Sequence, residues 1–329
     1  MAGLFDPIKI DSIELKNRIM MPPMANNLAT PEGEVTQKLI DHYTARAKNN
    51  VALIIIEHSY VVKSGRLSQL QTGIYGDELV DVLKKLASAI HECGAKTAIQ
   101  ITHGGARCSS TILGHQTLAP SAFKLDTFDE VPRALTVKEI KEIIAAFGKA
   151  ATRAKTAGFD AVEIHGAHGF LLNEFHSPLT NFRKDEYGGN LENRMRLPLE
   201  VVAEVIRSVG GDFPVFYRLG SDDMMTGGIT IEDSIALAIK LVEAGVRLID
   251  VSGGLVGSRP DNRPPGYFVP QAWAIKKAIN VPVSAVGGIK TAELADSIIR
   301  EGKADLVAIG RALLADPEWA IKAAKELSI

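Results

Sequence analysis

The stretch Ala161-Val162-Glu163-Ile164-His165-Gly166-Ala167-His168-Gly169-Phe170 starts as an apolar strand and ends in a glycine-bearing loop. It hands two histidines, three residues apart, to that loop. A rigid strand end aims side chains, and a loop lets a ligand approach them, so chemistry is expected here. The same rhythm recurs on both sides. Short β-rich runs at 17–21, 52–57, 96–101, 161–165, 215–218, 248–252, 283–286 and 306–309 alternate with amphipathic stretches at 36–48, 78–92, 136–156, 192–209, 231–244, 270–279, 291–300 and 317–326. Within the second stretch Leu79, Val82, Leu83, Leu86 and Ile90 recur at spacings of three and four, which is one face of a helix. Eight strands, each followed by a helix, predict an α/β fold, the (β/α)8 TIM barrel with right-handed crossovers. A Rossmann sheet would alternate too, but no Gly-x-Gly-x-x-Gly opens a helix after the first strand. The run 8–15 alternates apolar and polar residues about Asp11-Ser12, predicting an N-terminal β-hairpin that plugs the barrel floor. Residues 108–133 form a long excursion after strand three, read as a capping subdomain. No Pro/Gly/Ser-rich linker divides the chain, so 1–329 reads as a single domain.

Composition removes several function classes. A net charge of −2 without long like-charge runs argues against a nucleic-acid partner. The apolar runs are too short to span a bilayer and the N-terminus lacks a signal-peptide pattern, so a cytoplasmic protein with reduced thiols is expected. Cys93 and Cys108 do not have metal-ligand spacing. Cys93 reads as a packed residue, whereas Cys108 follows a candidate ligand loop.

Barrel enzymes work at the C-terminal ends of their strands. Here those ends carry Pro22 to Asn27, Glu57-His58, Gln100 to Arg107, His165 with His168, Arg218, Ser252-Gly253-Gly254, Gly287-Gly288 and Gly310-Arg311. The last two pairs follow strands seven and eight, where barrels commonly hold a phosphate. Glycine lets backbone N–H groups close on oxygens, and Arg311 adds a forked, charge-assisted contact. The competing reading of these glycines is plain turn geometry. For His165 and His168 the alternatives are a zinc pair or a structural pair, but no third metal ligand stands out and Phe170-Leu171 make the region apolar. A phosphosugar aldolase or isomerase would want a strand-end lysine or carboxylate base, and Glu57 is nearly alone in that role.

From about Leu4 to Pro317 the chain resembles the old yellow enzyme family of FMN-dependent ene-reductases. The matching segments are Lys16-Asn17-Arg18-Ile19-Met20 with Pro23-Met24, Gln100 with His103, Gly105 and Arg107, His165 through Gly189, Asn193-Arg194, and Ile309 through Leu313. The resemblance implies FMN at the top of the barrel and NADH or NADPH as electron donor. It implies that Pro23, Met24 and Ala25 line one flavin edge, with His58 and His165 beside the ring system. Gln100 would bond the pyrimidine ring, Arg218 would lie near N1, and Gly287, Gly288, Gly310 and Arg311 would hold the phosphate. His165 and His168 would grip the oxygen of a small-molecule substrate and so polarise a conjugated C=C.

The chain departs from the family pattern at Phe170, where a tyrosine usually supplies the proton that completes reduction. His58 and Tyr267 are the candidate replacements, and Phe170 and Tyr267 are expected at the substrate. An oxidation or ring aromatisation, which needs no such proton, is the alternative, as is a protein that merely retains FMN. Ala25 stands where relatives often have a cysteine or threonine that tunes the flavin. His176 replaces a commonly apolar residue and reads as either surface or site. Larger relatives continue into an iron–sulfur segment and a dinucleotide domain, which are not found here, so NAD(P)H is expected to dock directly over the flavin. A homo-oligomer is left open, but a subunit-shared site is not expected.

Overall fold

In the computed structural model, residues 2–125, 128, 130–261 and 263–328 are described. Eight parallel strands close into a barrel in sequential order: β1 Ile19–Met21, β2 Leu53–Tyr60, β3 Lys96–Thr102, β4 Ala161–Gly166, β5 Val215–Gly220, β6 Leu248–Ser252, β7 Val283–Ala285 and β8 Leu306–Ala308. The outer layer is α1 Gln37–Ala47, α2 Val80–Glu92, α3 Val137–Thr156, α4 Leu191–Val209, α5 Ile231–Glu243, α6 Val269–Lys276, α7 Ala292–Arg300 and α8 Trp319–Glu326. Local chemistry sets several helix starts. Thr36, Asn190, Thr230 and Thr291 each accept a bond from a first-turn N–H, and Thr136 forms a reciprocal capping box with Glu139.

Alternate strand residues divide the molecule into an outer and an inner core. Outward residues such as Ile54, Ile99, Val162, Tyr217 and Ile249 pack under the helices. Inward residues Met20, Leu53, Ile55, Ala98, Phe216, Leu248 and Leu306 fill the lower barrel. The hairpin Ile8–Ile10 with Ile13–Leu15 inserts Ile10, Ile13 and Leu15 into that inner cluster, which makes it the floor plug. Gly166 is required by this packing, since a Cβ there would lie 2.0 Å from the Tyr217 hydroxyl.

Two short helices were not anticipated. Leu171–His176 is buried at every residue and so carries no amphipathic period, and Arg311–Ala315 is too short to display one. The excursion after β3 holds the helix Ser110–Leu113 and a strand, Leu118–Ala119, paired with Arg133–Ala134. Phe123 and Phe128 pack with Ala106 and Ala119, and the Arg107 guanidinium lies over the Phe128 ring at 5.0 Å, tying the excursion to the end of β3. Among the described residues no helix is long and apolar enough to cross a membrane.

Candidate active site

Above the apolar floor the inward positions become polar. Strand register sets Gln100 opposite Glu163, His165 opposite Arg218, Arg218 opposite Asp250 and Asp250 opposite Ser284. Gln100 Nε2 donates to Glu163 Oε1 at 2.8 Å, and Arg218 Nη1 lies 3.1 Å from Asp250 Oδ2. The Ser284 hydroxyl donates to Asp250. Burial raises the pKa of Glu163, reinforced by Asp250 and opposed by Arg218 and Gln100. Burial raises Asp250 as well, against the pull of Arg218 and Ser284. Arg218 is therefore the fixed cation of the layer. Its Nε, with Glu163 Oε2 and His165 Nδ1, is sealed from solvent without a hydrogen-bond partner. Buried polar atoms are normally satisfied, so such a concentration of unmet groups at the barrel mouth points to a ligand.

Three imidazoles stand on this layer. His165 Nε2 and His168 Nδ1 face each other at 3.1 Å, and His168 Nε2 is 2.7 Å from Ser252 Oγ. His168 adopts a left-handed backbone, φ 62°, uncommon outside glycine. Its N–H donates to the Gly253 carbonyl at 3.0 Å, and this fixes the loop that turns its ring toward His165. Burial pushes both histidines well below their usual pKa. His168 and Arg218 add to the effect at His165, and Arg218 and Arg107 add at His168. Both rings are therefore neutral. Phe170 packs 4.3 Å from His165 and 5.5 Å from His58, centroid to centroid. Strict alternation from Leu53 and Ile55 would aim Glu57, not His58, inward. A register shift between Ile56 and Ser59 turns His58 onto Phe170.

A cavity at the β7–β8 end is lined by Arg218, Arg259, Lys290 and Arg311 together with Pro22, Met24 and Gly310. Four cations about one small cavity suit a phosphate. Tyr267 belongs to this end. Its ring lies 2.9 Å from where a Gly287 Cβ would stand and 3.0 Å from one on Gly288. Both glycines have positive φ, 126° and 67°. The Tyr267 hydroxyl accepts from Arg311 Nη2 at 2.9 Å and donates to the Ser258 carbonyl at 3.0 Å. Tyr267, expected as a proton donor at the substrate, is thus carried by the loop after β6 onto Gly287 and Gly288, beside Arg311.

Other expected residues fall as follows. Pro23 and Met24 are half-buried and Ala25 is exposed at the end of β1, while Gln100 is buried on β3. Glu163, Asp250, Ser258 and Lys290 were missed. Lys290, two residues beyond Gly288, had a readable signal. Arg259, on the loop after β6, lines the same cavity as Lys290. His176 is not at the surface: it is 2% exposed, its Nε2 has no partner, and burial lowers its pKa to about 3. Cys108 is buried and its thiol is held protonated by burial and Glu174, so it is no nucleophile. Among the described residues no group of His, Cys, Asp and Glu is arranged to hold a metal.

The model of the NADH:flavin oxidoreductase / NADH oxidase family matches residues 3–329. An NADPH dehydrogenase of Geobacillus sp. (strain WCH70) is 44% identical over 98% of this chain and 94% of its own. An NADH oxidase of Thermoanaerobacter brockii is also 44% identical over 98% of this chain, but the match spans only 50% of that protein. Among solved structures, a 2-naphthoyl-CoA reductase complex superposes with TM-score 0.93 and 29% identity, covering 98% of this chain and 52% of that one. The old yellow enzyme homologue from Zymomonas mobilis superposes with TM-score 0.86 and 30% identity, over 99% and 93%. The chain thus spans about half the length of some relatives and nearly all of others. With the family pattern running through the whole barrel, the chain belongs to the NADH:flavin oxidoreductase / NADH oxidase family, whose cofactor is FMN.

Proposed function

We propose that this chain takes hydride from NAD(P)H through FMN and reduces a C=C conjugated to an oxygen-bearing group, as in an enone or enoate. The observation that carries the reading is the pair of neutral imidazoles His165 and His168, whose facing nitrogens lie 3.1 Å apart. In the free site one of these nitrogens donates to the other; a ligand oxygen can replace that contact, and a donor preplaced where charge gathers lowers the barrier to hydride addition. Pro23, Met24, Ala25 and Gln100 would border the flavin, and Gly287, Gly288, Gly310 and Arg311 would hold its phosphate. When bound, FMN accepts hydride from a nicotinamide and returns it to an electron-poor carbon. Arg218 would stabilise negative charge gathered during that exchange. The chain's similarity to morphinone reductase, TM-score 0.84 and 30% identity in a complex with tetrahydroNAD, supports a nicotinamide donor.

Phe170 favours a second reading. Its ring fills the space against His165 and has no proton to give. A dehydrogenase-type oxidation or an aromatisation needs no proton delivered there. The test is anaerobic. FMN-loaded protein is reduced by NADH or NADPH, then mixed with a cyclic enone, an enoate and a nitroalkene. Rapid flavin reoxidation by an alkene is the expected result. If no alkene reoxidises the flavin, but an alcohol or amine bleaches the oxidised protein, the second reading replaces the first. A colourless protein that cannot be reconstituted with FMN overturns both.

A further inference from the structure

His58 is held by Gln71. Gln71 Nε2 lies 3.0 Å from His58 Nδ1 and donates to the His58 carbonyl at 2.8 Å. The orientation of the amide is set from its other end, because Gln71 Oε1 accepts the Leu67 N–H at 2.7 Å. The nitrogen therefore faces the ring, and an amide NH2 donates but does not accept. Nδ1 must then present a lone pair, which leaves the ring proton on Nε2. An imidazolium would set N–H against N–H. Gln71 is 1% exposed, so water does not take its place. The far edge of the ring has no hydrogen bond among the described residues and is not sealed from solvent. The His58 ring stands beside Phe170 and, at 6.5 Å between centroids, His165.

We propose that Gln71 is a positioning residue that locks His58 as a neutral Nε2–H donor, so that His58 gives the bound ligand a hydrogen bond and not a proton. This rests on the flavin-site reading only for the identity of that ligand. It removes His58 as the acid replacing the tyrosine, because a neutral imidazole that gave up its proton would become an imidazolate. The charged and titratable groups about the ring act in the same direction or stand aside. Burial disfavours a cationic His58 against the pull of its own backbone carbonyl, Arg218 adds to the effect, and the neighbouring His165 and His168 are themselves neutral. Glu57, raised to about 7 by burial, is engaged by the Asn26 N–H at 2.7 Å and the Thr72 hydroxyl at 2.8 Å.

The test reads the proton directly. Purified FMN-bound protein with 15N-labelled histidine is examined by NMR across about pH 5 to 8, the range in which an ordinary histidine titrates. The His58 signal is assigned by its loss in His58→Asn. The expected result is a protonated Nε2 and an unprotonated Nδ1 throughout. Gln71→Glu supplies an acceptor to Nδ1, so His58 should gain an Nδ1 proton and a new ionisation. The enone reoxidation rate should then acquire a limb that changes about tenfold per pH unit, absent from wild type. Gln71→Leu should release the ring to titrate without that preference. A purely structural Gln71 would alter FMN retention or unfolding and leave the proton's position alone. The proposal is overturned if wild-type His58 titrates in this range or carries its proton on Nδ1, or if Gln71→Glu moves neither the NMR signature nor the pH profile. Should Gln71→Glu fail to fold, the wild-type signature still decides. Because the NMR readout needs no turnover, it separates failure of this lock from failure of the alkene-reduction reading.

Discussion

The two ends of the barrel interior are built on opposite principles. The floor is closed by Ile10, Ile13 and Leu15 against Met20, Leu53, Ile55, Ala98, Phe216 and Leu248, all apolar and nearly all sealed. The mouth, a few residues further along the same strands, holds Glu163, His165, Arg218 and Asp250, all buried, with Glu163 Oε2, His165 Nδ1 and Arg218 Nε unmet. Burial at the floor stabilises the fold, whereas burial of polar groups without partners costs stability. The difference teaches that stability and chemistry are separated along each strand, so substitutions at the two ends should fail in different ways.

The largest expected effect is at the floor. Leu15→Ala should cost about 2–5 kcal/mol of unfolding free energy, through lost burial and a cavity far from solvent. Urea unfolding measures it, and the surviving folded protein should keep its FMN stoichiometry. A floor variant that stays stable but loses FMN would break the contrast.

The mouth should fail the other way. His165→Ala or His168→Ala should slow flavin reoxidation by an enone by about 10²–10³-fold, roughly 2.7–4 kcal/mol of barrier, while reduction by NAD(P)H is much less affected. The urea midpoint should move far less than for Leu15→Ala. His168→Asn is a useful companion, because asparagine tolerates the left-handed backbone at this position and restores a donor. Equal slowing of both half-reactions would indicate a damaged flavin site instead.

At the β7–β8 end, proposed to hold the phosphate, Arg311→Ala should weaken FMN retention by about 1.5–3 kcal/mol, the usual range for a hydrogen bond to a charged group. Equilibrium dialysis against free FMN measures this. No change would mean that Arg218, Arg259 and Lys290 suffice.

The smallest effect concerns His176, which belongs to neither end. Burial and Arg194 hold its folded-state pKa at about 3, below the ordinary value of 6.5. The unfolded chain therefore takes up the proton first. Its stability contribution is complete above pH ~6.5 and lost as pH falls toward ~3, at about 1.4 kcal/mol per pH unit. His103, at about 3, and His42, at about 4, act in the same direction. His176→Leu should remove one share of that slope and unfold later than wild type at pH ~5, where the histidine's contribution is reduced. Identical acid profiles for the two proteins would show that His176 is not buried as described.

Much of the site was legible because it lies on strand ends. The pattern Ala161 to His165 fixes a strand, and its period places Glu163 and His165 on the inner face. Arg218 and Gln100 follow from the same alternation. The N-terminal alternation about Asp11-Ser12 was enough to expect the floor hairpin, because every second residue there is apolar. Where the backbone leaves regular alternation, residue periods alone do not suffice. His58 reaches the cluster through a bulge that alternation does not announce and was expected there from the family resemblance, and Tyr267 is carried by an irregular loop onto Gly287 and Gly288. Gln71 has no motif, and its role exists only because Leu67 orients its amide toward a ring thirteen residues earlier in the chain.

The sequence by itself therefore determined the barrel, the end of it that works, and the residue types gathered there, because strand and helix periods are local properties of the chain. Only the tertiary structure decided which of those residues face one another and in what protonation state. That His165 and His168 are neutral, that Arg218 is the fixed charge, and that the His58 proton sits on Nε2 all depend on burial and on partners supplied by other strands and loops. Proton positions follow the local field and hydrogen bonds, and these are set only when distant segments close around the same few ångströms.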